Sequence, residues 1–110
     1  MPRNPETQTP DPGLLILASL ASGPKHGYAI TQDVLAFAGV ALGPGTLYGA
    51  IARLEGRGLI EPLAADDRRR PYRLTGIGRE TLRDQLGTLE RLTSTGLGRL
   101  AAAPPVGGAG

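Results

Sequence analysis

Four arginines, Arg68, Arg69, Arg70 and Arg73, fall within the stretch DDRRRPYRLT at residues 66–75. A guanidinium is planar and permanently charged, and its fork of N–H donors matches phosphate oxygens. Its concentration in one polar stretch points to contact with an anionic polymer. The competing explanation is a solvated turn in which Asp66 and Asp67 neutralise two of the arginines. A net charge of +2 does not choose between them. Of the 12 cationic residues only Lys25 is lysine. Arg for Lys, with abundant Ala, Gly and Pro, also follows from a GC-rich coding sequence. That accounts for the bias but not for the clustering.

The chemistry excluded is as informative. There is no cysteine, so disulfides and thiolate metal sites are excluded, and the single histidine, His26, excludes a His-based metal cluster. Asp66 and Asp67 share a turn beside arginines and offer no separated acid–base pair. No catalytic set can be assembled, so no enzymatic activity, metal or cofactor is expected. No apolar run approaches the roughly 20 residues of a membrane span. No basic-then-apolar leader is visible. A soluble cytoplasmic protein is the expectation. At 110 residues the chain holds one small domain, whose modest core gains from burial against a second copy.

The elements that must carry these groups follow from periodicity. Residues 1–10 are rich in proline and polar residues, and a disordered tail is expected. Asp11 can cap a helix whose first position is Pro12. Leu14, Leu17, Ala18 and Ala21, widened by Leu15 and Leu20, give it an apolar stripe up to Gly23-Pro24, so the helix is expected over residues 12–22. A second helix is expected from Lys25 to Gly39, with Ala29 or Ile30, Val34 and Phe37 inward. Gly43-Pro44 opens a third, over 44–57, with Leu47, Ile51 and Leu54 inward and Gly58 as its stop. The period then changes. Leu59, Ile60 and Leu63 on one arm, and Tyr72 and Leu74 on the other, predict a hairpin, with Pro62 at an edge or a bulge. Thr75 can cap a last helix, along which Leu82, Leu86, Leu89, Thr93, Gly96 and Leu100 step as a heptad seam. Gly87, Gly96 and Gly98 each weaken that helix by about 1 kcal/mol, so its C-terminal part is expected to fray or to need a partner.

Three helices, a charged hairpin and a further helix form the layout of a mainly α winged helix-turn-helix: three helices plus a two-stranded wing, then a C-terminal dimerisation helix. The expected organisation is a DNA-binding domain at 11–76, a dimerisation helix at 77–103 and a second disordered tail at 104–110. In this layout the third helix enters the major groove and the wing lies along the backbone or over the minor groove. With Leu47, Ile51 and Leu54 inward, the outward arc carries Gly45, Gly49, Ala52, Arg53 and Gly56, flanked by Thr46 and Tyr48. Arg53 can reach guanine, while Thr46 and Tyr48 suit a phosphate or a base edge. Gly45 and Gly49 let the backbone come close. The alternatives are that Tyr48 packs on the wing and that Arg53 pairs with an acid. Lys25 and His26 start the second helix near the expected backbone, although His26 can also cap locally. Tyr28 and Phe37 are expected in the core. Leu82, Leu86, Leu89 and Leu100 are expected to face a second copy.

Three blocks, LASLASGPKHGYAI, GPGTLYGAIARLEGRGLIE and RRRPYRLTGIGRETL, resemble, in the family's order, the signature runs of PadR transcriptional regulators. The resemblance covers about residues 13–83. It implies a homodimeric repressor, of the compact branch, whose last helix packs on the partner subunit. The family usually has Ser at the position of Gly43 and Pro at that of Gly49. Some drug-sensing relatives hold planar ligands with a Trp on the last helix, and this chain has no Trp. The expected function is therefore sequence-specific binding of a palindromic double-stranded DNA operator by a homodimer, released by a small-molecule effector. The alternative is a winged-helix module that binds another protein and not DNA.

Overall fold

The computed structural model describes residues 10–104. The tails expected at 1–10 and 104–110 lie outside these residues, apart from Pro10 and Pro104.

Helix α1, Pro12–Leu20, is the central post of the domain. Asp11 caps it, its carboxylate accepting from the Leu14 N–H at 3.0 Å. Leu15, Ile16, Leu17 and Leu20 are all buried, so this helix is apolar on nearly every side. Its packing partners are α2, Gly27–Ala38, α3, Pro44–Gly56, and α4, Gly76–Ala102. Ile16, which the expected stripe omitted, is completely buried, while Ala21 is exposed. The helix ends two residues before the expected boundary. The chain turns through Gly23 at φ 144°, a conformation that glycine adopts without strain.

Between α1 and α2 the structure holds an unexpected strand. Lys25–His26 forms β1, which pairs antiparallel with β3, Pro71–Leu74, through Lys25↔Tyr72 and His26↔Pro71. The sheet therefore has three strands in the order β1-β3-β2, not two. The cause is local: His26 is the N-cap of α2 and takes an extended backbone, φ −83° and ψ 167°. That conformation lies alongside β3 and exchanges hydrogen bonds with it. Strand β2, Ile60–Pro62, is at the edge, as Pro62 requires, in the register Ile60↔Leu74, Glu61↔Arg73 and Pro62↔Tyr72.

Ile30 and Val34 of α2, and Leu47, Ala50, Ile51 and Leu54 of α3, join α1 in one core with Leu59, Ile60 and Leu74 of the hairpin. The placement of Tyr28 and Phe37 corrects the expectation. Both are exposed, at 68% and 51%. Tyr28 lies about 200° around the helix from Ile30 and so points away from the core.

Helix α4 runs unbroken for 27 residues despite its glycines. Thr75 fastens its start three ways. Its Oγ1 accepts from the Gly78 N–H at 3.0 Å and donates to the Gly58 carbonyl at 2.6 Å, and its N–H donates to the Leu59 carbonyl at 3.1 Å. Gly78 passes so close to Leu59 that a Cβ there would drive into the Leu59 carbonyl oxygen. Of the leucines assigned to a partner, Leu82 instead completes this chain's own core. Beyond it α4 leaves the domain, giving the described residues an elongated outline of 63 × 32 × 22 Å.

Candidate nucleic-acid interface

The tip of the hairpin is a two-residue loop. Asp66 and Arg69 exchange backbone hydrogen bonds of 2.7 and 2.9 Å, and between them Asp67 and Arg68 both have positive φ, 50° and 69°. Positive φ at both central positions matches the right-handed twist of a hairpin. It is uncommon for an arginine, and it leaves Arg68 at the apex. Among the described residues Arg68 has no hydrogen-bond or ion-pair partner, and neither Asp66 nor Asp67 forms an ion pair. Among the described residues neither carboxylate at the tip is in ion-pair contact with an arginine.

The other wing arginines differ from one another. Arg70 donates to the Leu63 carbonyl at 3.1 Å and braces the hairpin. Arg73 lies below the loop, on β3, where its Nε donates to Glu61 Oε2 at 2.8 Å across the strands. Its charge is matched within the sheet, so it is the weakest member of the expected set. Arg69 reaches back toward α2 and places Nη1 3.4 Å from His26 Nε2.

The start of α2 also divides. Lys25, expected at a phosphate, is turned inward. Its ammonium donates to the Ser19 carbonyl and, at 2.7 Å, to Ser22 Oγ, and lies 3.9 Å from Asp33. Ser19, the buried polar residue of the core, in turn donates to Asp33 at 2.7 Å. Lys25 thus fastens the end of α1 to α2 and fixes the strand that carries His26. His26 caps α2, its Nδ1 accepting from the Ala29 N–H at 3.4 Å, and leaves Nε2 facing the wing.

On α3, Gly45, Thr46, Tyr48, Ala52, Arg53 and Gly56 are exposed and Gly49 is half-buried. Arg53 makes no ion pair among the described residues. Its guanidinium folds back along the helix, 3.6 Å from where a Cβ on Gly49 would stand. The small residue thus leaves room for the long Arg53 side chain. Tyr48 leans toward α2, its hydroxyl so close to Gly27 that a Cβ there would clash with it.

These pieces meet. A cleft of about 310 Å³ is lined by His26 of β1, Tyr28 of α2, Tyr48 of α3, and Arg68, Arg69 and Tyr72 of the wing. The wing cations and Tyr48 of α3 therefore border one cleft. Tyr72 ties the two together. Its hydroxyl pKa is pushed up by burial first, then by Glu55 of α3 and by Tyr48, with Arg70 opposing, so the phenol stays protonated. Tyr28 and Tyr72 were not named as candidates. The signal for Tyr28 was its position two residues after the lone histidine, on the side of α2 opposite Ile30.

The remaining candidates lie on α4. Leu86, Leu89 and Leu100 are exposed at 45%, 42% and 75%. Leu92 and Leu97 are exposed as well, and the heptad count missed both. Two grooves follow the helix: about 450 Å³ beside Ala21 and Leu86, and about 490 Å³ beside Leu14 and Leu89.

The fold and these blocks have counterparts. Residues 16–84 match the model of the "Transcriptional regulator PadR-like family". The chain is 41% identical over 88 residues to the transcriptional regulator Rv3488 of Mycobacterium tuberculosis, covering 77% of this chain and 81% of that one. It is 46% identical over 86 residues to a 37.1 kDa protein in transposon TN4556 of Streptomyces fradiae, covering 78% of this chain and 25% of that protein. The chain thus spans about a quarter of the length of that relative. Among solved structures, a transcriptional regulator from Clostridium thermocellum superposes with a TM-score of 0.69 at 28% identity, over 80% of this chain and 87% of that one. A PadR family regulator from Clostridium difficile shares the fold, with a TM-score of 0.75 at 24% identity, over 83% and 99% of the two chains. Four helices and a small antiparallel sheet in winged-helix order, with the family's blocks in place, lead to one assignment: the chain belongs to the PadR-like family, whose members are transcriptional regulators and not enzymes.

Proposed function

We propose that the protein acts in the cytoplasm as a homodimeric repressor that occupies a palindromic DNA operator and is released by a small-molecule effector. The observation that carries this reading is one cleft: Arg68 and Arg69 of the wing line it together with Tyr48, which flanks the outward arc of α3. In it, α3 lies in the major groove. Gly45 and Gly49 allow close approach, Thr46 and Tyr48 meet the backbone or a base edge, and Arg53 meets guanine. Arg68 and Arg69 lie on phosphates or in the minor groove, with Arg70 and Arg73 in support. His26 faces the backbone, and Lys25 acts only by fixing its strand. The exposed leucines of α4, from Leu86 to Leu100, face the second copy, which sets two α3 helices about one DNA turn apart. The effector acts by changing that spacing.

One observation favours the rival module that binds protein instead of DNA. The outward arc is mostly Gly45, Gly49, Ala52 and Gly56, with few donors for base edges. Selection of bound sites from random duplexes at two salt concentrations separates the two readings. Regulation predicts a palindromic site and an affinity that falls steeply with salt. No retained duplex at low salt would favour the protein-binding module.

A further inference from the structure

His26 and Arg69 stand in a relationship that neither residue explains alone. Nδ1 of His26 accepts from the Ala29 N–H, so its lone pair is engaged there. The proton of the neutral ring is then on Nε2. Arg69 Nη1 lies 3.4 Å from that same Nε2, and a guanidinium carries donors only. In that tautomer two donors face each other at 3.4 Å with no acceptor between them, at the mouth of the cleft. The groups around them supply no substitute. Arg68 and Arg70 add positive charge to the cleft, and the Tyr72 phenol stays protonated. Asp66 and Asp67 line the adjoining cleft with His26 and Arg69, yet among the described residues neither carboxylate forms an ion pair with Arg69.

We propose that His26 and Arg69 hold one phosphodiester oxygen between them, so that a single backbone phosphate bridges α2 and the wing. This rests on the reading that the chain binds duplex DNA. A phosphate oxygen accepts from both donors at once, one neutral and one charged. It also selects between two states of the ring. Without an anion, the ring can instead donate from Nδ1 and accept from Arg69 at Nε2, at the expense of the Ala29 cap. With the phosphate in place, the capping tautomer is the one that satisfies every group.

The direct test is NMR of the wild-type protein labelled with ¹⁵N in histidine, of which there is one. Two-bond proton–nitrogen correlations distinguish the tautomers. With saturating duplex, the ring is expected as the Nε2–H form with its Nε2 resonance displaced. A ring protonated on Nδ1 alone, or an unmoved resonance, would overturn the clamp while leaving DNA binding intact. Inorganic phosphate forms the second arm. The same displacement with phosphate alone assigns the site to any phosphate, and a displacement with duplex only assigns it to the DNA backbone. A double-mutant cycle reads the sharing. H26N retains a capping oxygen for α2 but falls short of the wing. H26N and R69A are each expected to weaken duplex binding about tenfold, and the double variant hardly further. R69A should also lower the salt slope by about 0.9, and H26N should leave it unchanged. Additive losses, about a hundredfold in the double variant, would show two separate contacts and sink the clamp. A wild-type protein that retained no duplex would instead remove the underlying reading.

Discussion

The Tyr48 hydroxyl lies within clashing distance of where a Cβ on Gly27 would stand. The contact joins α3 to the start of α2 and forms one wall of the cleft that the wing completes. Tyr48 is half-exposed at 52%, so its ring can swing outward if displaced. Gly27→Ala should therefore leave thermal stability within about 1 kcal/mol, since alanine also suits a helix better than glycine. Duplex affinity should fall by about tenfold as Tyr48 leaves the cleft. Calorimetry and DNA titration on one preparation check both halves.

Gly78 meets a harder obstacle. The atom in its way is the Leu59 backbone carbonyl oxygen, held by a hydrogen bond from the Thr75 N–H. Gly78→Ala should destabilise the fold by about 3 kcal/mol or more, read as a lower denaturant midpoint with an unchanged slope.

At the hairpin tip, stability and binding should move in opposite directions. Arg68 sits at φ 69°, a region that costs a side chain-bearing residue about 1–2 kcal/mol. Arg68→Gly should raise the melting temperature. It should also reduce duplex affinity and lower the salt slope by about 0.9. Arg73→Ala is the internal comparison. Its guanidinium is matched by Glu61 in an exposed pair, so both stability and salt slope should change little.

On α4, charges at exposed leucines should separate the two copies of the proposed dimer without unfolding either. Leu86→Glu with Leu89→Glu should convert a dimer to a monomer in sedimentation at micromolar concentration, with the far-ultraviolet helical signal of the domain retained. Leu82→Glu should unfold the domain, because Leu82 is part of its own core.

Alkaline pH offers a readout of the link between β3 and α3. The Tyr72 pKa is raised above its ordinary value of 10.0, chiefly by burial. Above that pH the unfolded chain releases the phenolic proton while the folded chain keeps it. Stability therefore declines as pH rises through the folded value. Urea midpoints between pH 9 and 11 should fall less steeply in Tyr72→Phe.

How much of this was legible follows from the length scale of each signal. The stripes of Leu47, Ile51 and Leu54, the stop at Gly58 and the cap at Thr75 repeat over several turns or sit at element ends, and local physics decides them. Strand β1 did not show, because two residues cannot display an alternation. The fate of Lys25 depended on Ser19, Ser22 and Asp33, which only the packed α1–α2 corner brings together. Leu82 and Leu86 have the same periodicity, and what separates them is how far α1 extends along α4. The heptad count selected Thr93 and Gly96 and passed over Leu92 and Leu97 because it followed a single seam along a helix whose exposed leucines spread wider. The Arg cluster was visible as charge. That Arg73 pairs with Glu61 while Arg68, at the apex, has no side-chain partner among the described residues came from register and turn geometry.

The central claim is that the wing tip and α3 engage one ligand together. Titration of the uniformly ¹⁵N-labelled protein with its selected duplex tests it most directly. The account predicts that the amides of Gly45, Thr46 and Gly49 shift in step with those of Arg68, Arg69 and Arg70, with one common dissociation constant. Wing shifts without α3 shifts, or two sets saturating at different duplex concentrations, would contradict it.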